Sequence, residues 1–284
     1  MEDSLKKVLL LVVEGPTDKT TFEAPLNDLL ISKGLDEKFF CAVYHTDFTT
    51  HKFGNPEEFM TDDDDVIENV KECVTNFLKS RENTNKFGLK DIVFVATLSD
   101  LDCCYCKADD VEVVPFNPTD EKKTRVDFVN KKFLCNDKPF ILRRNIIKQN
   151  SLGILSSEGN IVIKKHKMKF RAYYCSINLE HALYGNTNQL SEQEKEDMAS
   201  EFRQNVREDL SLFEKQIDSI PIISNDYKES WNEIQLMAKP FERMSNIKLL
   251  IDILLSLCTE LFSAKKPASK KEKREWKDLL FYMI

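Results

Sequence analysis

Val8-Leu9-Leu10-Leu11-Val12-Val13-Glu14-Gly15-Pro16-Thr17-Asp18 decides the fold, and it has a distant counterpart in Ile92-Val93-Phe94-Val95-Ala96-Thr97-Leu98-Ser99-Asp100-Leu101-Asp102. Each is a β-branched or leucine-rich apolar run that stops abruptly at carboxylates. Strands buried on both faces of a parallel sheet read this way, as near-continuous hydrophobic segments of strand length. In an open α/β sheet, ligands bind outside the carboxyl ends of the strands. Glu14 and the Asp100/Asp102 pair are therefore expected to converge on one spot.

Outward from the first run, Gly15-Pro16-Thr17 leads into a helix whose inner face is Phe22, Leu26, Leu29 and Leu30, with Pro25 expected to kink or break it. Lys38 to Tyr44 reads as a second strand and His45 to Asn55 as a loop. Val66, Val70, Cys73, Val74, Phe77 and Leu78 recur at helical spacing after four aspartates, Asp62 to Asp65. Acids at a helix N-terminus complement its dipole by about 0.3 to 1 kcal/mol each, so this run is read as a cap before it is read as a metal site. The strand over 91–97 is followed by one at Val111 to Phe116. Alternating strands and helices of these lengths give a mostly parallel sheet.

Between about 120 and 170 the pattern changes. Phe140-Ile141-Leu142, Gly153-Ile154-Leu155, Asn160-Ile161-Val162-Ile163 and the alternating Lys165, Lys167, Lys169 and Arg171 read as short antiparallel strands, with a turn at Glu158-Gly159-Asn160, inserted before a last strand at Arg171 to Cys175. Beyond it the chain is helical. Asn178-Leu179-Glu180 opens a helix, Ser191-x-x-Glu194 is a capping box opening another to about Ser219, further helices span 226–239 and Ile247 to Phe262, and the apolar end Trp276 to Ile284 follows the basic run Lys265 to Lys277. The reading is thus an α/β unit over 1–185 with a β-rich insertion at about 120–170, followed by a helical C-terminal region over 186–284.

Length and composition bound what this architecture can do. The 284 residues carry ample core for one large domain or two small ones. The longest apolar stretches fall short of a membrane span, and the N-terminal lysines precede a run of strand length ending in Glu14, which is no signal-peptide layout. A soluble cytoplasmic protein without a membrane partner is expected. Eight cysteines in a chain this long are not a disulfide framework; Cys41, Cys73, Cys175 and Cys258 lie in apolar surroundings, where a reduced thiol serves as a small hydrophobe. Net charge is −7, but between Arg143 and Arg171 eight Lys and Arg face one acid, Glu158, so basicity is local.

Three or four carboxylates from different strand ends suffice to place hard cations such as Mg2+ or Mn2+, which can hold the attacking and leaving oxygens of a phosphodiester displacement. Glu14, Asp100 and Asp102 are the first candidate ligands, with Asp18 and Glu180 completing the set. Asp18 and Glu180 also have a plainer reading as first-turn helix acids. Cations near the scissile phosphate would stabilise developing charge; Lys165 and Lys167, with Arg171, are the candidates, against the alternative of a solvated strand face that resists edge aggregation. Cys103-Cys104-x-Cys106 lacks a second cysteine or histidine set, so it reads as packing in the site wall rather than as a zinc site. No Walker A loop is present, so any use of ATP falls to another subunit.

Glu14-Gly15-x-x-Asp18 followed some eighty residues later by Asp100-x-Asp102, each at the end of an apolar strand, resembles the TOPRIM domain of topoisomerases, DnaG-type primases and several nuclease families. The chain has no room for a covalent topoisomerase's second domain and no primase zinc module. Its small size, the insertion before the last strand, the Asn178-Leu179-Glu180 segment and the helical C-terminal region are similar to the standalone TOPRIM nucleases of bacterial anti-phage defence: the RloB-like proteins, the AriB-like effectors of the PARIS system and, more distantly, the OLD family. The resemblance implies a metal-dependent endonuclease with Glu14 as ligand or general acid-base and Asp100 and Asp102 on metal. It implies nucleic acid, RNA or DNA, as substrate, with tRNA cleavage in the AriB-like case, and control by an ABC-type ATPase sensor subunit. Self-association into a homodimer through the C-terminal helices is compatible with it. The alternative is a non-catalytic TOPRIM module that regulates by binding. One departure stands out: Cys103-Cys104-Tyr105 follows Asp102 where the family has small, glycine-like residues.

Overall fold

The first run forms β1 (Lys7–Val13) and its counterpart β5 (Ile92–Asp100), and these two strands lie side by side and parallel. The computed structural model describes residues 6–61, 65–84, 86–117, 123–236 and 239–263. Its central sheet has the order β2-β1-β5-β10-β9, in which β2 (Phe39–His45), β1, β5 and β10 (His166–Cys175) are parallel and β9 (Asn160–Ile163) is an antiparallel edge. This is a mostly parallel α/β sheet of the Rossmann-like class.

Alternation along β1 sends its side chains into two cores. Leu9, Leu11 and Val13 pack with α1 (Pro16–Ser32), α4 (Leu179–Tyr184), α5 (Glu192–Glu208), α6 (Ser211–Asp218) and α8 (Ile247–Ser263). Val8, Leu10 and Val12 face α2 (Val66–Lys79), α3 (Lys138–Ser157) and α7 (Tyr227–Leu236) on the other side. Both faces are covered, as the unbroken apolar runs require.

The C-terminal helices are part of this core. Beyond its short pairing with β9, β10 would leave backbone groups unpaired at the sheet edge. Tyr227 Oη accepts from the Ala172 N–H at 3.1 Å, the Trp231 indole donates to the Ala172 carbonyl at 3.0 Å, and Asn246 Oδ1 accepts from the Tyr174 N–H at 2.9 Å. Three side chains thereby do the work of a missing strand.

Several sequence readings need correction. Phe140-Ile141-Leu142 and Gly153-Ile154-Leu155 are not strands but belong to one 20-residue helix, α3. Asp137 caps it by accepting from the Phe140 N–H, Pro139 sits in its first turn, and Ile141, Asn145, Lys148, Leu152 and Leu155 make its buried face at spacings of three and four. The segment before the last strand is therefore as helical as it is β-rich. The turn is not at Glu158-Gly159-Asn160, where α3 ends; β9 and β10 turn at Lys164-Lys165. The strand expected at Val111 to Phe116 is shorter, β6 (Val111–Val113), and lies in a separate small sheet with β8 (Lys132–Cys135) and β7 (Thr124–Asp127). The supposed loop after β2 contains a hairpin, β3 (His51–Lys52) and β4 (Asn55–Phe59). Helix α1 continues through Pro25, and the helix opened by the Ser191 box breaks at Asp209-Leu210 into α5 and α6.

Other readings hold. Asp65 caps α2 through the Ile67 N–H, and the Ser191–Glu194 box is formed. Asp62 to Asp64, Lys265 to Lys277 and Trp276 to Ile284 lie outside the described residues. All eight cysteines are buried and free. No helix among the described residues is long and apolar enough to cross a membrane.

Helix α4 ends at Gly185, whose φ of 68° is left-handed, as a C-terminal helix cap favours. Gly185→Ala is expected to cost about 1 kcal/mol by that backbone preference alone, read as a lower denaturant midpoint at unchanged m value. An unchanged midpoint would show that the cap carries no stability.

Candidate active site

Glu14 immediately follows β1, Asp100 ends β5, and Asp102 lies two residues further on, so three acids leave the carboxyl ends of adjacent parallel strands. They lie close enough to act on one another: the charges of Asp102 and Glu14 both push the Asp100 carboxyl up. The Lys148 ammonium, from the buried face of α3, donates to Glu14 Oε2 at 2.9 Å and to Asp102 Oδ2 at 2.6 Å. Thr49 Oγ1 donates to Glu14 Oε1 at 2.9 Å. Asp18, 5% exposed, accepts from the Gly15 N–H at 3.0 Å, so it is both the first-turn acid of α1 and a neighbour of the other carboxylates. Glu180, in the first turn of α4 and 6% exposed, lies 3.9 Å from Lys195 of α5.

Asp102 and Cys103 have φ of 48° and 57°, both left-handed. Asp tolerates that region and cysteine rarely adopts it. Surrounding contacts hold the turn: Leu101 and Asp102 donate their N–H groups to the Cys175 and Ile177 carbonyls, and Arg144 donates to the Asp102 carbonyl at 2.8 Å. Cys103 and Cys106 pack against Phe133, Ile141 and Phe241, and burial pushes the Cys104 and Cys106 thiols up to about 12 and 11. They are neutral wall residues.

The electrostatics divide the acids. Burial, then the like charges of Asp102 and Asp47, pushes Glu14 up to about 7 against the pull of Lys148. Burial, with Glu180 nearby, likewise pushes Asp18 up to about 7. Burial, then Asp18, Asp102 and Glu14, raises Asp100 well above the usual range; its carboxylate makes no hydrogen bond or ion pair with any described residue. Burial would raise Asp102 too, but Lys148 and Arg144 outweigh it and hold this carboxyl below the usual range. One ammonium is shared by two carboxylates: with Arg144 it holds Asp102 low, while burial keeps Glu14 up at about 7 despite it.

Six carboxylates (Glu14, Asp18, Asp47, Asp100, Asp102 and Glu180) therefore face three cations (Arg144, Lys148 and Lys195). Oxygen donors with excess negative charge, among them the half-buried Asp100 carboxylate that lines the neighbouring cleft, form a donor set that suits a hard divalent cation. Among the described residues, no group of three or more His, Cys, Asp or Glu side chains is already drawn together tightly enough to hold an ion. Lys148 occupies the space between Glu14 and Asp102 in their place.

The cations expected from 164–171 are elsewhere. Lys165 lies in the β9–β10 turn and Lys167 near the start of β10, both exposed. Cys175, not Lys167, is the β10 residue beside Asp100, and Lys167 precedes it by roughly 26 Å of strand. Arg171 stacks 5.0 Å over the Tyr227 ring. Parallel pairing with β5 puts the beginning of β10 at the opposite end of the sheet, so Lys165 and Lys167 are not in this site. Lys148, Arg144 and Lys195 are, and the only sequence signal for the first two was their place in the basic stretch.

A pH test follows from the raised acids. An acid with a higher pKa in the folded than in the unfolded chain favours the fold at low pH and loses that contribution as pH climbs through the folded value. Glu14 and Asp18, with ordinary values of 4.5 and 3.8, thus work against the fold increasingly from those values up to about pH 7, above which the penalty levels off. In chelator, Asp18→Asn is expected to flatten the fall in Tm between about pH 4 and about pH 7, and Mn2+ should raise the wild-type Tm more at the higher pH. Equal metal effects at both pH values would contradict this coupling.

Comparisons with family models, with curated proteins and with solved structures return no match to this chain.

Proposed function

We propose that this chain is a metal-dependent nuclease that hydrolyses phosphodiester bonds in RNA or DNA using Mg2+ or Mn2+, and that its sheet is a TOPRIM domain. The observation that carries the reading is the unpaired Asp100 carboxylate set among Glu14, Asp18, Asp102 and Glu180 where parallel strands end. A bound divalent ion would supply Lewis-acid stabilisation of the phosphate and a more acidic water. Asp100, Asp102 and Asp18 would hold it, with Glu180 on the α4 side.

Glu14 has a second capacity. With a pKa near 7 it can take and return a proton at neutral pH, which suits a general acid-base next to the attacking water or leaving oxygen. Thr49 and Lys148 fix its two carboxylate oxygens. The Lys148 ammonium, whose two carboxylate partners keep it charged despite burial, is placed to steady negative charge on the transferring phosphate. An anti-phage effector role in the cytoplasm, tRNA as substrate and an ABC-type ATPase partner rest on the motif resemblance alone.

One observation favours the non-catalytic alternative: Lys148 already satisfies Glu14 and Asp102 without an ion. Incubating the pure protein with DNA, total RNA and tRNA in Mn2+, alone and with any ATPase encoded beside it, separates the two. Metal-dependent cleavage supports the nuclease. Neither cleavage nor metal-linked thermal stabilisation leaves the binding module.

A further inference from the structure

A cleft of about 300 Å³ opens beside the carboxylate cluster and shares Asp100, Asp102 and Glu180 with it. Its remaining wall differs in chemistry. The Phe128 ring packs 4.9 Å from the His181 imidazole, and the loop after α4 contributes Asn186, Asn188 and Gln189. Arg125, stacked 5.7 Å over Phe116, and Lys195 add positive charge. The loop is tied across to β7, where Gln189 Nε2 donates to the Thr124 carbonyl at 3.2 Å, and it is braced internally by the Asn188 N–H on Asn186 Oδ1 at 2.8 Å. The cleft is therefore a bounded compartment, at the small end of ligand-site volumes.

We propose that this cleft is a subsite for one unpaired nucleobase, so that the strand cut at the neighbouring carboxylates is single-stranded or locally unpaired. An aromatic side against which a base can stack, a side-chain amide able to read its Watson–Crick edge, here Asn188, since Asn186 and Gln189 brace the loop, and cations for the adjoining phosphate are the three elements by which proteins hold splayed-out bases. A paired base has that edge occupied and both faces stacked, so an intact duplex can fill the cleft only after that base is unpaired and unstacked, which disfavours it. His181 sits behind the ring, its Nδ1 within 3.3 Å of the Ser176 hydroxyl. The inference deepens the nuclease reading and rests on it for the position of the scissile phosphate.

The test uses the whole 284-residue chain carrying Glu14→Ala, which is expected to prevent cleavage and lies outside the cleft. Fluorescence anisotropy in Mg2+ measures binding of labelled short single strands of each base, as RNA and as DNA, and of a blunt duplex. Single strands are expected to bind at least about ten-fold tighter than the duplex. Adding Phe128→Ala is expected to weaken them about ten-fold, and adding Asn188→Ala, on the exposed loop, to narrow the differences among bases. A duplex bound as tightly as single strands, or affinities and base order untouched by both substitutions, overturns the subsite. Wild-type cleavage in Mn2+ is scored separately. Base-selective binding without cleavage removes the nuclease reading and keeps the subsite, whereas cleavage without strand preference does the reverse.

Discussion

Asp100→Asn is expected to abolish Mn2+-dependent cleavage, by about a hundred- to a thousand-fold or more, while making the metal-free protein more stable. The two effects share one cause. Asp100 is held among like charges, without a hydrogen-bond or ion-pair partner among the described residues, and burial raises its pKa first, with Asp18 and Asp102 next. A neutral amide of the same shape removes that repulsion, and sites built for chemistry commonly trade stability for function in this way. Glu14→Ala should lose activity to a similar extent but without the gain in stability, because it strips Lys148 of one carboxylate. Thermal melts in chelator beside a cleavage assay in Mn2+ read both outcomes. Full cleavage by the two variants would remove the nuclease reading; an Asp100→Asn protein less stable than wild type would show that this carboxylate has a partner in the apo fold.

Lys148→Ala is the second large effect. The side chain is 2% exposed, and its ammonium bridges Glu14, 15% exposed, and Asp102, 39% exposed. Removing one member of a buried ion pair typically costs about 3–5 kcal/mol, because the charge left behind is uncompensated. Here the lower end applies, since Asp102 retains much of its contact with water. For a chain of this size about 3 kcal/mol corresponds to a fall in Tm of roughly 6–12 °C. Divalent metal should recover part of that loss by taking the ammonium's place between the carboxylates, and Glu14→Gln combined with Lys148→Met should recover part of it without metal. Melts of the single and double variants with and without Mn2+ measure both recoveries. A single variant as stable as wild type would show that the bridge contributes nothing to folding, and a loss insensitive to Mn2+ would separate Lys148 from any ion site.

Legibility in the sequence followed the strength of the local signal. The two apolar runs ending in acids are strands in the structure, adjacent and parallel, and Lys148 bridges Glu14 and Asp102 where they end. Apolar continuity can mean little else at that length. The capping residues Asp65 and Ser191 were equally legible, because a cap is a contact between near neighbours in sequence. Residues 138–157 were not. Short apolar triplets separated by Arg, Asn, Lys and Gln fit a strand or a helix equally well, and only the buried face Ile141, Asn145, Lys148, Leu152 and Leu155 resolves the period.

That single misreading displaced the site's cations. With α3 taken as strands, the alternating lysines of 164–171 looked like the positive wall; with α3 formed, Lys148 points inward to Asp102, 46 residues away in sequence. What the amino-acid order determined by itself was the sheet's parallel core and the acids at its carboxyl ends, because hydrophobic period and strand termination are local properties. Which cation meets those acids, and that Lys165 and Lys167 lie at the far end of β10, was decided only by tertiary packing. A charge is placed by the element that carries it, and the direction in which that element runs is settled by long-range pairing.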